Sequence, residues 1–106
     1  MIFSSKSTGV DVAGYEETAV RMETLAATQP GYLGIESVRG ADGFGITVSY
    51  WSTEDDARTW KRHSEHLLAQ RTGRSTWYES YRVRIATVTR DYSYDAAHGT
   101  DDPPNR

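Results

Sequence analysis

The chain of 106 residues contains no cysteine. That excludes disulfides, a thiolate nucleophile and any Cys-based metal site. Phenylalanine is scarce, with two residues against seven Tyr and three Trp. Tyr and Trp bury a ring while keeping a polar handle, a bias that suits wet pockets and interfaces better than a dry core. Positive charge is also in short supply. A net charge of −3 offers no basic face to follow a phosphate backbone, so nucleic acid is not an expected partner. No apolar run approaches membrane-spanning length, and the start, Met1 to Lys6, lacks the basic residues and long apolar stretch of a signal peptide. The expectation is a cytoplasmic protein with no membrane partner.

What is present reads as one domain. Ile2 to Ser7 is a short strand. Tyr15 to Gln29 is helical, with Ala19, Met22, Leu25 and Ala26 forming one apolar stripe and Glu16 and Glu17 in its expected first turn. Pro30-Gly31 ends it. Tyr32 to Arg39 alternates as a strand, and Gly40-Ala41-Asp42-Gly43 is hairpin-turn chemistry. The next strand, Phe44 to Trp51, sets Phe44, Ile46, Val48 and Tyr50 against Gly45, Thr47, Ser49 and Trp51. Neither set is charged, so both faces require cover. Helices cover one face, and a second subunit is the simplest cover for the other. The alternation assigns Tyr50 to the helix side and Trp51 to the subunit interface.

Ser52 or Thr53 caps a second helix, with Asp55 and Asp56 in its first turn. On a 3.6-residue wheel, Ala57, Trp60, Ser64, Leu67 and Leu68 make its buried stripe. His63 and Gln70 stand on the flank beside Trp60, and His66 lies further toward solvent on that side. Gly73 is a stop signal, Trp77 to Ser80 reads as a short turn, and Tyr81 to Arg90 as a final strand. Residues 1–90 make the domain, and 91–106 a polar tail. The order strand, helix, strand, strand, helix, strand predicts an α+β fold, the split β-α-β layout of a ferredoxin-like sandwich.

The motifs Pro30-Gly31-Tyr32-Leu33-Gly34 and Gly45-Ile46-Thr47-Val48-Ser49-Tyr50-Trp51, with Trp60, His63, Glu65-His66, Ala69-Gln70 and Trp77-Tyr78, resemble the antibiotic biosynthesis monooxygenase (ABM) family. The resemblance covers about residues 1 to 90. It implies a homodimer whose sheets face each other in a dimeric α/β barrel. It further implies oxidation of an aromatic polyketide or quinone-type substrate by O2 with no metal, flavin or other cofactor. A haem-degrading branch and small stress-related proteins share the fold. The chain departs from the enzymes' pattern in one respect. They use an Asn near the second-helix Trp, which Trp60 resembles, but the single Asn here is Asn105. Gln70 stands where the haem-degrading branch places its ligand His.

Cofactor-free oxygenation needs a base to generate a carbanion or enolate and groups to hold it. His63 is the candidate base, His66 an orienting or polar-binding group, and Trp60 a pocket wall. Tyr50, Gln70, Trp51, Trp77 and Tyr78 are the candidate substrate contacts. The histidines are equally readable as solvated helix residues, and the aromatics as packing. A native metal is not expected, because no third ligand is specified beside His63 and His66. Haem at one of these histidines, or a non-catalytic dimer that holds a hydrophobic compound, are the alternatives.

Overall fold

A computed structural model describes residues 1–70, 73–97 and 99–100. Its elements follow one another as β1 (Ile2–Ser7), α1 (Val12–Ala26), β2 (Tyr32–Arg39), β3 (Phe44–Trp51), α2 (Glu54–Gln70), α3 (Gly73–Trp77) and β4 (Tyr78–Arg84). A small hairpin, β5 (Tyr94–Asp95) with β6 (Gly99–Thr100), closes the described chain. The main sheet is antiparallel with strand order β2-β3-β1-β4. This is the ferredoxin-like arrangement, with the two long helices on one face.

Strands β1, β2 and β3 occupy the residues that alternation predicts. The first helix does not start where expected. Asp11, in the left-handed region at φ 52°, caps it by accepting from the Gly14 N–H at 3.2 Å. The first turn is therefore Val12 to Tyr15, which places Glu16 and Glu17 beyond it. Such a cap contributes about 1 kcal/mol. Thr53 rather than Ser52 caps α2, accepting from Asp56 N–H at 3.1 Å. Gly73, expected as a stop, opens α3 instead.

The last strand is shorter than alternation suggests, ending at Arg84 rather than Arg90. The reason lies in its partner: Arg84 pairs with Ile2, so beyond it β1 has almost no backbone left to offer. Residues 85–93 continue outside the ladder. Within the expected tail, β5 and β6 form their own ladder, while 101–106, Asn105 included, lie outside the described residues.

The register settles which face is which, and it reverses the expectation for β3. Thr47 pairs with Phe3 and Ser37, and Gly45 pairs with Ser5 and Arg39. These rows face the helices, as does Trp51, which stacks on Trp60 of α2 at 5.9 Å. Phe44, Ile46, Val48 and Tyr50 therefore point away. The bulkier face of β3 looks outward, and the small, hydroxyl-bearing face looks in. With so little aliphatic volume on the inner face, rings fill the space between sheet and helices. One column runs Tyr32, Trp51, Trp60, His63, with centroid spacings of 5.7, 5.9 and 5.8 Å. A second cluster joins Phe3, Tyr81, Tyr78, Tyr15 and Trp77 at 5.1 to 6.2 Å. Each favourable ring pair adds about 0.5–1.5 kcal/mol beyond its buried area. Ala26, Ala57, Trp60, Leu68 and Trp77 complete the buried apolar set.

Burial pushes the Tyr78 phenol well above its usual value, and the neighbouring Tyr15 adds to the shift while Arg39 opposes it. The unfolded chain ionises near 10.0, so the folded state holds its proton more tightly. Stability from this residue is present below pH 10 and is lost as the pH rises toward the folded value. The slope is at most about 1.4 kcal/mol per pH unit. In urea titrations above pH 10, Tyr78→Phe should therefore lose stability less steeply than the parent. Equal slopes would mean that Tyr78 ionises like a solvated tyrosine.

Candidate functional site

Rings packed at both ends leave the middle of the sheet–helix layer unfilled. A cavity of about 100 Å³ lies there. Its sheet wall is Phe3, Ile35, Ser37 and Thr47, the inward residues of three neighbouring strands. Tyr15, Ala19, Met22 and Glu23 line it from α1, and Trp60, Ser64 and Leu68 from α2. Met1 and Tyr78 complete the wall. The helix stripes read from the sequence are thus the roof of this space. The lining is mainly apolar with a few polar groups, the usual character of a small-molecule site. Ser37 and Thr47 hydroxyls bond each other at 2.8 Å, so both are partly satisfied without a ligand.

Of the candidate residues, Trp60 and Tyr78 line the cavity. Trp51 braces Trp60 from behind and donates its indole N–H to Ser49 Oγ at 2.9 Å. Its expected place at an outer interface is thereby corrected: an odd-numbered residue of β3 shares a face with Thr47. Tyr50 is corrected in the opposite sense. It lies on the outer face, where its hydroxyl donates to Glu36 Oε1 at 2.8 Å. That hydrogen bond, above all, raises its phenol pKa. Trp77 is buried, but its indole N–H serves Asp11 at 3.2 Å, tying α3 to the start of α1.

The two histidines are exposed, as is Gln70. His63 stacks on Trp60 at 5.8 Å and 15°, and is not in the cavity wall. Neither histidine is placed to present a nitrogen to a ligand inside, whether as base or as axial ligand to an iron. Among the described residues, no three His, Asp or Glu side chains converge as a metal site.

Sequence reasoning missed three residues here. Glu23, an exposed residue of α1, lines the cavity. Tyr15 brings a phenol, and Arg39 stands behind it with its guanidinium 5.2 Å from the Tyr15 ring centre. Arg39 Nη2 donates to Ser5 Oγ at 2.8 Å and to the Tyr15 hydroxyl at 3.0 Å, and Nη1 donates to the Gly43 carbonyl. The geometry follows from one cross-strand row. Arg39, Gly45 and Ser5 are neighbours on β2, β3 and β1, and the bare Gly45 lets the guanidinium lie across it to reach Ser5. A Cβ on Gly45 would meet Arg39 Cζ at 2.8 Å. The sequence signal was an Arg directly opposite a Gly, legible only once the hairpin register is known.

Comparison with known proteins places this architecture. No protein-family model matches the chain. The fold is similar to that of PA3566 from Pseudomonas aeruginosa, with a TM-score of 0.60 at 12% identity over 80% of this chain and 91% of that one. It is similar also to SnoaB, a cofactor-independent oxygenase from Streptomyces nogalater. There the TM-score is 0.58 at 18% identity, over 84% of this chain and 94% of the other. At these identities the likeness is one of fold. In sequence, the chain is 59% identical over 90 residues to the uncharacterized protein YqjZ of Bacillus subtilis, covering 85% of this chain and 78% of that protein. Such identity over 85% of the chain shows that it belongs to the YqjZ family.

Proposed function

We propose that this protein is a cofactor-independent monooxygenase of the ABM type, acting on a small aromatic compound with an acidic C–H. The observation that carries the proposal is the ring-lined cavity between sheet and helices, in a fold shared with a cofactor-independent oxygenase. In such a reaction a base removes a proton from carbon, and the resulting enolate passes an electron to O2. The radical pair combines to a hydroperoxide. Loss of water then leaves a carbonyl where a CH2 stood. Both electron pairs come from the two C–H bonds, one oxygen atom enters the product and the other leaves as water, so no external reductant is needed.

Glu23 takes the role of base in this reading, because it is the carboxylate in the wall, whereas His63 lies outside it. Trp60, stacked against Trp51 and His63, gives the cavity a rigid ring edge. Size sharpens the substrate class. A cavity of about 150 Å³ is known to take up benzene, and typical ligand pockets span roughly 300–1,000 Å³. At about 100 Å³ the space takes one ring at most, so fused-ring compounds enter only as the helices part, a tricyclic anthrone more so than a bicyclic ketone. Metal- and flavin-free protein should accordingly consume O2 faster with the smaller 2-tetralone than with anthrone. Glu23→Gln should slow turnover by about 10²-fold or more, with His63→Ala far less affected. O2 uptake no faster than in protein-free buffer for both compounds would contradict the reading.

The site is proposed to work within a homodimer. The outer sheet face exposes Leu33 (67%), Val38 (70%), Phe44 (48%) and Ile46 (37%), an apolar surface of the kind that marks an interaction site. The charges at its edges support a second copy as its cover. Glu36 lies on β2 and Arg82 and Arg84 on β4, at opposite edges of the sheet. A two-fold axis parallel to the strands sets each β2 over the partner's β4, acid against base. Sedimentation velocity should show a dimer that becomes monomeric in Ile46→Lys. A wild-type monomer at micromolar concentration would remove the second copy from the account.

A further inference from the structure

The polar end of the cavity carries a positive charge and a spare donor but no acid to match them. Arg39 is half-buried, and its three recorded acceptors, Ser5 Oγ, the Gly43 carbonyl and the Tyr15 hydroxyl, are all neutral. The ion pairs among the described residues, Arg58 with Glu54 and Lys61 with Glu65, both run along α2. No described carboxylate therefore sits within ion-pair distance of the guanidinium. Tyr15 and Tyr78 both line the cavity, their rings packed edge to face at 6.0 Å. Two phenols carry two protons, and neither is donated to an acceptor among the described residues. The Tyr15 hydroxyl already accepts from the Arg39 guanidinium, which makes it a better donor to a ligand.

We infer that Tyr15 and Tyr78, backed by Arg39, form a subsite for an anionic oxygen, a phenolate or enolate, of a one-ring ligand held against Trp60. Tyr15 and Tyr78 touch the ligand, while Arg39 is a positioning residue that acts through Tyr15. The site is built rather than incidental. Gly45 clears the path for the guanidinium, and Ser5, buried to 2% exposure, fixes its far side. Glu23, the charge that opposes an anion in this cavity, sits two helical turns further along α1. At about 1.5 Å per residue that is roughly 12 Å from Tyr15 along the axis. The anion-holding end and the proton-accepting end are thus separated, with apolar wall between.

The inference rests on this cavity being the ligand chamber, but it does not require that the protein turn anything over.

The test uses 4-nitrophenol, a one-ring phenol whose anion is coloured and whose neutral form is not. Bound to the full-length protein, it should ionise at a pH about one unit or more below its value in buffer, as expected for an anion beside a fixed cation. Tyr15→Phe keeps the ring contacts and should return the bound probe to its free value. Arg39→Gln should do the same. Gly45→Ala keeps the Arg but displaces its guanidinium, so it should lose part of the shift. Circular dichroism of each variant identifies any that fail to fold. If the probe binds with an unchanged or raised ionisation pH, the subsite is refuted while the chamber survives. If it does not bind at all, both are refuted. Absence of oxygenase activity alongside a shifted probe would sink only the catalytic reading.

Discussion

The inward face of β3 is the constraint on which the rest of this structure depends. Gly45, Thr47 and Ser49 present almost no aliphatic bulk to the helices, while Phe44, Ile46, Val48 and Tyr50 turn away. A sheet–helix layer closes near 10 Å apart, and small side chains at its centre cannot fill that depth. Rings on either side prop the layers apart, Trp51 on Trp60 at one end and the Phe3–Tyr78–Tyr15 cluster at the other. A void between them follows. So does an outer face rich in exposed apolar side chains. Cavity and apolar outer face are two consequences of one alternation.

That alternation was legible in the sequence to the residue, but its sense was not. Period-2 patterning gives the boundaries of β2 and β3 and says that Thr47 and Val48 face opposite ways. It does not say which of them faces the helices. The usual guide, that the more apolar face is the core, fails here, where Phe44 and Ile46 lie exposed on the outer face. Trp51 was the available corrective, since a Trp beside a hydroxyl-rich face is a prop. Other misreadings have similar causes. The last strand stops when β1 runs out, a property of the partner and not of Ile85 to Arg90. The helix stripe containing Ala57, Trp60 and Leu68 was recovered because a wheel needs only local spacing. The Arg39–Tyr15 contact was invisible because it joins residues 24 apart through a register and a glycine.

The electrostatics of the chamber differ from those suggested by composition. The chain is acidic overall, yet a guanidinium stands behind the cavity wall, bonded to the Tyr15 hydroxyl. Burial raises the Tyr78 pKa, the neighbouring Tyr15 adds to the shift and Arg39 only opposes it, so the Tyr78 phenol holds its proton. His63, chemically the obvious base, is instead used for its flat ring, stacked outside Trp60. Chemistry read from residue type and chemistry read from position here point to different side chains.

The claim beneath all of this is that the void between sheet and helices admits an aromatic ring. A crystal soaked with bromobenzene locates such a ring without ambiguity, because bromine gives an anomalous signal and the molecule has no polar group to draw it elsewhere. The account predicts that signal between Trp60 and Thr47, beneath α2. Bromine found on the outer sheet face alone, or an inner layer closed over with no signal, would contradict it.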